Sequence, residues 1–250
     1  MKKKDFILLL IFAVLLILFA VLSTRTQFHD VNEYITISKH LAGINNINVF
    51  TGHSSLYPAI SSIFLKIHPS VIMLKIINTL WIFLIGLVLL LWLKNRKAFI
   101  LFAFSPLTWY MSIQTTPVLP ASFFLLLAFI FFKKQKIKYN YFYSGIFLGL
   151  SFGVYTPMII VSFLFILIYF WDKNFLKFFT YLIAFLIGLS PRLLLDLYLY
   201  GMPFYTILRY FGANFIISLG LNSNVTNYEI FYQPIGLLIF IFISPFLFRI

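Results

Sequence analysis

The stretch Thr26 to Leu41, TQFHDVNEYITISKHL, gathers His29, Asp30, Glu33 and His40 in a chain with only six acids and four histidines among 250 residues. His29 and Glu33 stand four apart, the step that places two side chains on one helical face; with His40 and His53 they offer nitrogen and oxygen donors to a divalent cation. No HExxH or other regular ligand spacing occurs, and interfacial histidines are the competing reading. Asp30 answers to two descriptions. It suits a helix N-cap with Glu33 as its N3 partner, an Asp variant of the capping box, and it equally suits a catalytic base at the mouth of a cleft. Further along, Arg192 and Asp196 are four apart in an apolar run. Either they form an i,i+4 ion pair, or Arg192 turns its planar fork toward a phosphate.

The residues between these groups say what must position them. Mean hydropathy is +1.00 and only 10% of residues are charged, against about a quarter in soluble domains. Several apolar runs reach or approach the roughly 20 residues of a membrane-crossing helix, and none alternates like a membrane β-strand. The sequence therefore predicts an all-α, polytopic membrane protein forming a single domain over 1–250. A net charge of +13 raises nucleic acid as a partner. The basic residues instead fall in short clusters between apolar runs, as the positive-inside rule produces, so membrane lipids are the expected partner and nucleic acid is not. With no cysteine, disulfides, Cys-ligated zinc and thiol catalysis are excluded.

About eight spans are expected: Phe6 to Leu22, Val71 to Leu93, Ala98 to Ser112, Val118 to Phe132, Tyr143 to Tyr155, Pro157 to Trp171, Phe178 to Tyr198 and Pro234 to Leu247. Those near Pro117, Pro120 and Pro157 are candidates for tilting or breaking. The basic start Lys2 to Lys4 with the first run also fits a signal peptide, but the run is long and no small-x-small cleavage site precedes Arg25, so an uncleaved span is preferred. Alternation puts Lys2 to Lys4, Lys94, Arg96, Lys97, Lys133 to Lys138, Lys173, Lys177 and Arg249 on one side, which makes that side and the N-terminus cytoplasmic. Lys75, near an outer end, is expected to snorkel.

Two long external loops result, about 23–70 and 199–233. In the first, Val31, Tyr34, Ile35, Ser38, Leu41 and Ala42 make a helical stripe, and Leu56, Ile60, Ile63, Phe64 and Ile67 make another. Two amphipathic interfacial helices are expected there. Gly145, Gly149 and Gly153 recur every four residues, a spacing that lets helix backbones pack closely. Asn224 to Thr226 forms a sequon.

This order of features resembles the GT-C superfamily of membrane glycosyltransferases, including the protein mannosyltransferase and aminoarabinose transferase types. Asp30 followed by Tyr34 is similar to their D-x-x-x-Y at the start of the first external loop. Gly52, His53, Ser54, Ser55, Leu56, Tyr57 and Pro58 resemble an H-P-P-L-Y-P segment without its inner prolines. Ser105-Pro106 with Tyr110, then Gly149-Leu150-Ser151, and finally Ser190-Pro191-Arg192 through Gly201-Met202-Pro203-Phe204, look like later family segments, with Asp196 where asparagine is common.

The resemblance implies transfer of a sugar from a polyprenyl-phosphate donor at the external face. Asp30 would be the base, with Arg192 the phosphate partner. Glu33, His53, Tyr57, Asp196 and Arg209 would contact substrate, and a divalent cation stays open as cofactor. Two departures favour a different class, a non-catalytic GT-C-like module that binds lipid-linked sugar or scaffolds a membrane-protein partner. Gln114 to Pro117 lacks the second acid that members place between the third and fourth spans, and the chain ends at Ile250 without the additional spans or C-terminal domain that members usually carry.

Overall fold

The computed structural model describes residues 3–23, 31–47, 52–133, 139–171 and 175–218. The described residues form helices α1 (Lys3–Leu22), α2 (Val31–Leu41), α3 (Leu56–Leu65), α4 (Val71–Leu87), α5 (Arg96–Phe104), α6 (Pro106–Ser112), α7 (Val118–Lys133), α8 (Asn140–Val154), α9 (Ile159–Trp171), α10 (Phe175–Tyr200) and α11 (Tyr205–Ser218). No strand occurs among them. A wider π turn, Val88–Trp92, prolongs α4, and a 3-10 turn, Thr156–Met158, leads into α9. His29, Asp30, the sequon and the run from Pro234 to Leu247 lie outside the described residues.

Among the described residues three helices are long and apolar enough to cross a membrane: Lys3–Leu22, Val71–Trp92 and Phe175–Tyr200. α1 buries Leu9, Phe12, Leu16 and Ala20, one stripe at helical spacing, while Leu10, Ile11, Val14 and Leu18 face outward. Ser70 caps α4, its side chain accepting from the Met73 amide, and Asn95 caps α5 through the Ala98 amide.

The span expected from Ala98 to Ser112 is broken. Pro106 drives Ser105 into an extended conformation, so α5 stops and α6 begins with the proline at its first turn. Side chains of α6 repair the break: Thr108 donates to the Phe102 carbonyl at 2.7 Å and Trp109 to the Ala103 carbonyl at 2.8 Å. The Phe102 carbonyl also takes the Ser105 amide, so it is the Ala103 carbonyl that the Trp109 indole supplies with a donor in place of the missing helical one. Pro120 falls within the first turn of α7, where the missing amide costs nothing, and Pro157 sits in the 3-10 turn.

One end of the structure is basic. Asp5 at the start of α1 pairs with Arg96 at the start of α5; Trp92 meets Phe131 near the end of α7, Phe131 meets Tyr143 of α8, and Lys177 of α10 lies over Tyr141. The opposite end carries α2 and α3. There Tyr34, Leu56, Tyr57, Ala121 and Val154 form one buried cluster joining α2, α3, α7 and α8. Lys75 departs from expectation. Only 3% exposed, it donates through Nζ to the Ser23 carbonyl at 2.7 Å, satisfying the end of α1 instead of reaching for water.

α8 and α10 pack backbone to backbone along a seam of glycines. A methyl on Gly149 would strike the Phe185 carbonyl, one on Gly188 the Ile146 carbonyl, and one on Gly145 would come within 2.5 Å of the Tyr181 carbonyl. Gly153 differs, since a methyl there meets only ordinary contacts. The glycine stripe therefore sets the separation of α8 and α10 near its first two members and leaves room toward the α2–α3 end.

Candidate functional site

That end is built from four pieces of chain. Glu33 stands in the first turn of α2, and His53 lies in the short segment before α3. The His53 Nε2 is 3.9 Å from Glu33 Oε2, and both side chains are partly exposed. The His53 ring packs beside Tyr34, with centroids 5.5 Å apart, and beside Tyr210 of α11 at 6.4 Å. The backbone of Tyr210 passes so close to Gly52 that a Cβ there would lie 3.2 Å from the Tyr210 Cα. A side chain at Gly52 would therefore push the segment before α3 and α11 apart by a few tenths of an ångström. Ser54 anchors the same segment, donating to the Gly153 carbonyl at 2.5 Å and accepting from the Leu56 amide.

The buried face of α3 is not the expected stripe alone. Leu56 is buried, yet Ile63 and Ile67 face outward, while Tyr57, Ser61 and Leu65 turn inward. When the surroundings are lipid, apolar side chains gain little by turning in, and polar ones gain a partner. Tyr57 has no exposed surface: its hydroxyl donates to Asn78 Oδ1 at 2.9 Å, and its ring meets Tyr34 edge-on. It supports Tyr34 from behind and is closed off from the surroundings. In α2 the buried set is Val31, Tyr34, Ile37 and Ser38, while Ile35 of the expected stripe is half-buried against Leu65, Leu74 and Ile77.

Arg192 and Asp196 sit near the end of α10, and neither has exposed surface. Arg192 donates from Nε and Nη2 to the Thr206 hydroxyl, at 3.1 and 2.9 Å, and from Nη1 to the Phe152 carbonyl at 3.3 Å. Its guanidinium also lies over the Phe152 ring. Thr206 donates from its hydroxyl to Asp196 Oδ2 at 2.7 Å and from its amide to the same oxygen at 3.0 Å. The expected i,i+4 ion pair is therefore mediated by a third residue, and a fork expected to reach phosphate is held inside the protein.

Arg209, by contrast, is exposed, and its Nη1 donates to the Tyr205 hydroxyl at 2.8 Å. Tyr205 stacks on Tyr200 with centroids 4.4 Å apart, and the Tyr200 hydroxyl shares a hydrogen bond with Ser55 at 3.2 Å. Tyr200, Tyr205 and Arg209 make a run of aromatic and polar groups, anchored to the segment before α3 by the buried Ser55. Aromatic faces with nearby hydrogen-bonding groups suit sugar rings, and an exposed arginine suits a phosphate.

Glu33 and His53 supply two donors, one fewer than the three protein ligands of a catalytic zinc centre, and no group of three or more His, Asp or Glu comes together among the described residues. Sequence reading missed Thr206, Tyr200, Tyr205, Tyr210 and Ser55. The turn Gly201-Met202-Pro203-Phe204 foretells a reversal, but the tilt that brings Thr206 onto Arg192 has no local signature. Comparison with protein-family models, with curated proteins and with solved structures returns no match for this chain.

Proposed function

We propose that the chain is a polytopic glycosyltransferase that takes a sugar from a polyprenyl-phosphate donor at the outer membrane face. In this reading eight spans cross the membrane, the N-terminus is cytoplasmic, and α2 and α3 lie in the outer interface. One observation carries the reading: Glu33, His53 and Arg209, from three separate stretches, come together at the end opposite Arg96 and Lys177. A carboxylate takes the proton of an acceptor hydroxyl as its oxygen attacks the anomeric carbon, and the bond from that carbon to the phosphate oxygen breaks. The departing lipid phosphate keeps the electron pair, and a cation stabilises it. Asp30 is the proposed base, with Glu33 and His53 holding the acceptor. Arg209 meets the phosphate, while Arg192 and Asp196 act from behind by fixing α11.

A second reading is favoured by the way Arg192 and Asp196 are satisfied internally, and by the buried turn at Gln114 and Thr115, which offers no carboxylate. It is a non-catalytic module that binds lipid-linked sugar or scaffolds a membrane-protein partner. Transfer of radiolabelled sugar from a panel of polyprenyl-phosphate donors by the purified protein, wild type beside Asp30→Asn, separates the two. Loss of transfer with donor binding intact in the variant supports the enzyme. Donor binding by the wild type without transfer from any donor supports the module.

A further inference from the structure

Two buried charges spend their hydrogen bonds on one threonine. The Thr206 hydroxyl has a single proton and two lone pairs. The proton goes to Asp196, and both lone pairs take N–H groups of Arg192, so the hydroxyl is used to capacity. The amide of the same residue, second in α11 and without an intrahelical acceptor, also goes to Asp196. A helix start is satisfied by one serine or aspartate in water and needs no pair of buried charges.

What the network controls is the heading of α11. The helix leaves a four-residue turn in which Gly201 and Phe204 take φ of +72° and +69°, and a side chain added at Gly201 would meet nothing within 4 Å. The turn is therefore not braced at Gly201, and Thr206 sits where the helix meets α10. Downstream on the same helix are Arg209 and Tyr210, which lie against Gly52 and His53.

We infer that Thr206 is a positioning residue of the candidate site: its hydroxyl, clasped between Arg192 and Asp196, holds α11 so that Arg209 and Tyr210 stand over the segment from Gly52 to Ser55. The inference rests on the reading of this end as the functional site. It does not depend on which reaction occurs there.

Because the chain has no cysteine, His53→Cys with Tyr210→Cys introduces a unique thiol pair. The full chain in lipid nanodiscs is treated with a short bifunctional thiosulfonate, and the rate of internal cross-linking is followed by mass spectrometry. Thr206→Ser keeps the hydroxyl and is expected to cross-link at the parent rate. Thr206→Val keeps the shape, loses three hydrogen bonds to charged groups, and is expected to cross-link about tenfold more slowly. Asp196→Asn, which keeps an acceptor oxygen but no charge, is expected to fall between them, and it decides the matter if the valine variant does not fold. A parent rate in Thr206→Val, or in Asp196→Asn where the valine variant is lost, overturns the inference; so does equal slowing by Ser and Val. Sugar transfer is read separately in protein with His53 and Tyr210 intact. If the wild type transfers nothing while cross-linking follows the expected order, the glycosyltransferase reading falls and the positioning role stands.

Discussion

Arg192 reaches the carbonyl of Phe152, 40 residues earlier in the chain, and ties the last turns of α8 and α10 together across a buried contact. That contact is possible only because the two helices approach more closely than side chains ordinarily permit.

The glycines set this approach, so their substitution discriminates. In Gly149→Ala and Gly188→Ala the new methyl meets backbone carbonyls that cannot rotate away, and each is expected to lose about 2 kcal/mol or more of stability. Gly153→Ala, whose methyl would find the Leu56 Cδ2 at 3.4 Å and the Arg192 Cβ at 3.8 Å, is expected to be near neutral. Thermal unfolding in detergent, followed by size-exclusion chromatography, checks this order; equal loss at all three positions would show that the seam is not what separates them.

The buried charges make a second test. Arg192→Met leaves Asp196 buried without its cation, and Asp196→Leu leaves Arg192 buried without its anion, so each single change is expected to cost about 3–5 kcal/mol. The double variant removes both charges and is expected to cost less than the sum of the two, because no uncompensated charge remains. Additive losses in the same unfolding assay would mean that the two residues act independently despite sharing Thr206.

Much of this architecture is legible in the sequence, and the reasons are local. Apolar runs with basic flanks give the helices from Val71, Val118, Asn140 and Phe175 to within a few residues, because length and hydropathy are summed over each run. The sequence points to proline effects near Pro117, Pro120 and Pro157; the structure shows the interruption at Pro157 as a 3-10 turn after the extended Tyr155, and adds one at Pro106, where Ser105 leaves the helix. Arg192 and Asp196 stand out in sequence as charges in an apolar run. Thr206 does not, since its role depends on the angle between α10 and α11, which no spacing encodes. The inward turn of Tyr57 and Ser61 was hidden for a related reason: a hydrophobic stripe marks the core in water but not in lipid.

Topology can be tested through the absence of native thiols. Single cysteines at Asn46, exposed near the α2–α3 end, and at Lys94, exposed at the basic end, are placed on opposite faces by the proposed orientation. A membrane-impermeant maleimide on intact cells is expected to label Asn46→Cys directly and Lys94→Cys only after permeabilisation. Labelling of Lys94→Cys in intact cells would reverse the orientation and move the candidate site to the inner face.

Pro191 interrupts α10 between Gly188 and Arg192, and its missing amide leaves the Ile187 carbonyl without its helical donor. Ser190 fills the gap, its hydroxyl donating to that carbonyl at 2.7 Å. Serine next to proline is thus a repair that keeps the helix continuous just before the buried arginine. Ser190→Ala is expected to destabilise the protein by about 1 kcal/mol, since the carbonyl then faces lipid unpaired. In a Pro191→Ala background the amide returns, the carbonyl regains its ordinary partner, and the same serine change is expected to have little effect. A double-mutant cycle on thermal stability measures the difference. Coupling near zero would mean that the Ser190 hydroxyl is incidental, and that α10 tolerates the gap at Pro191 by bending.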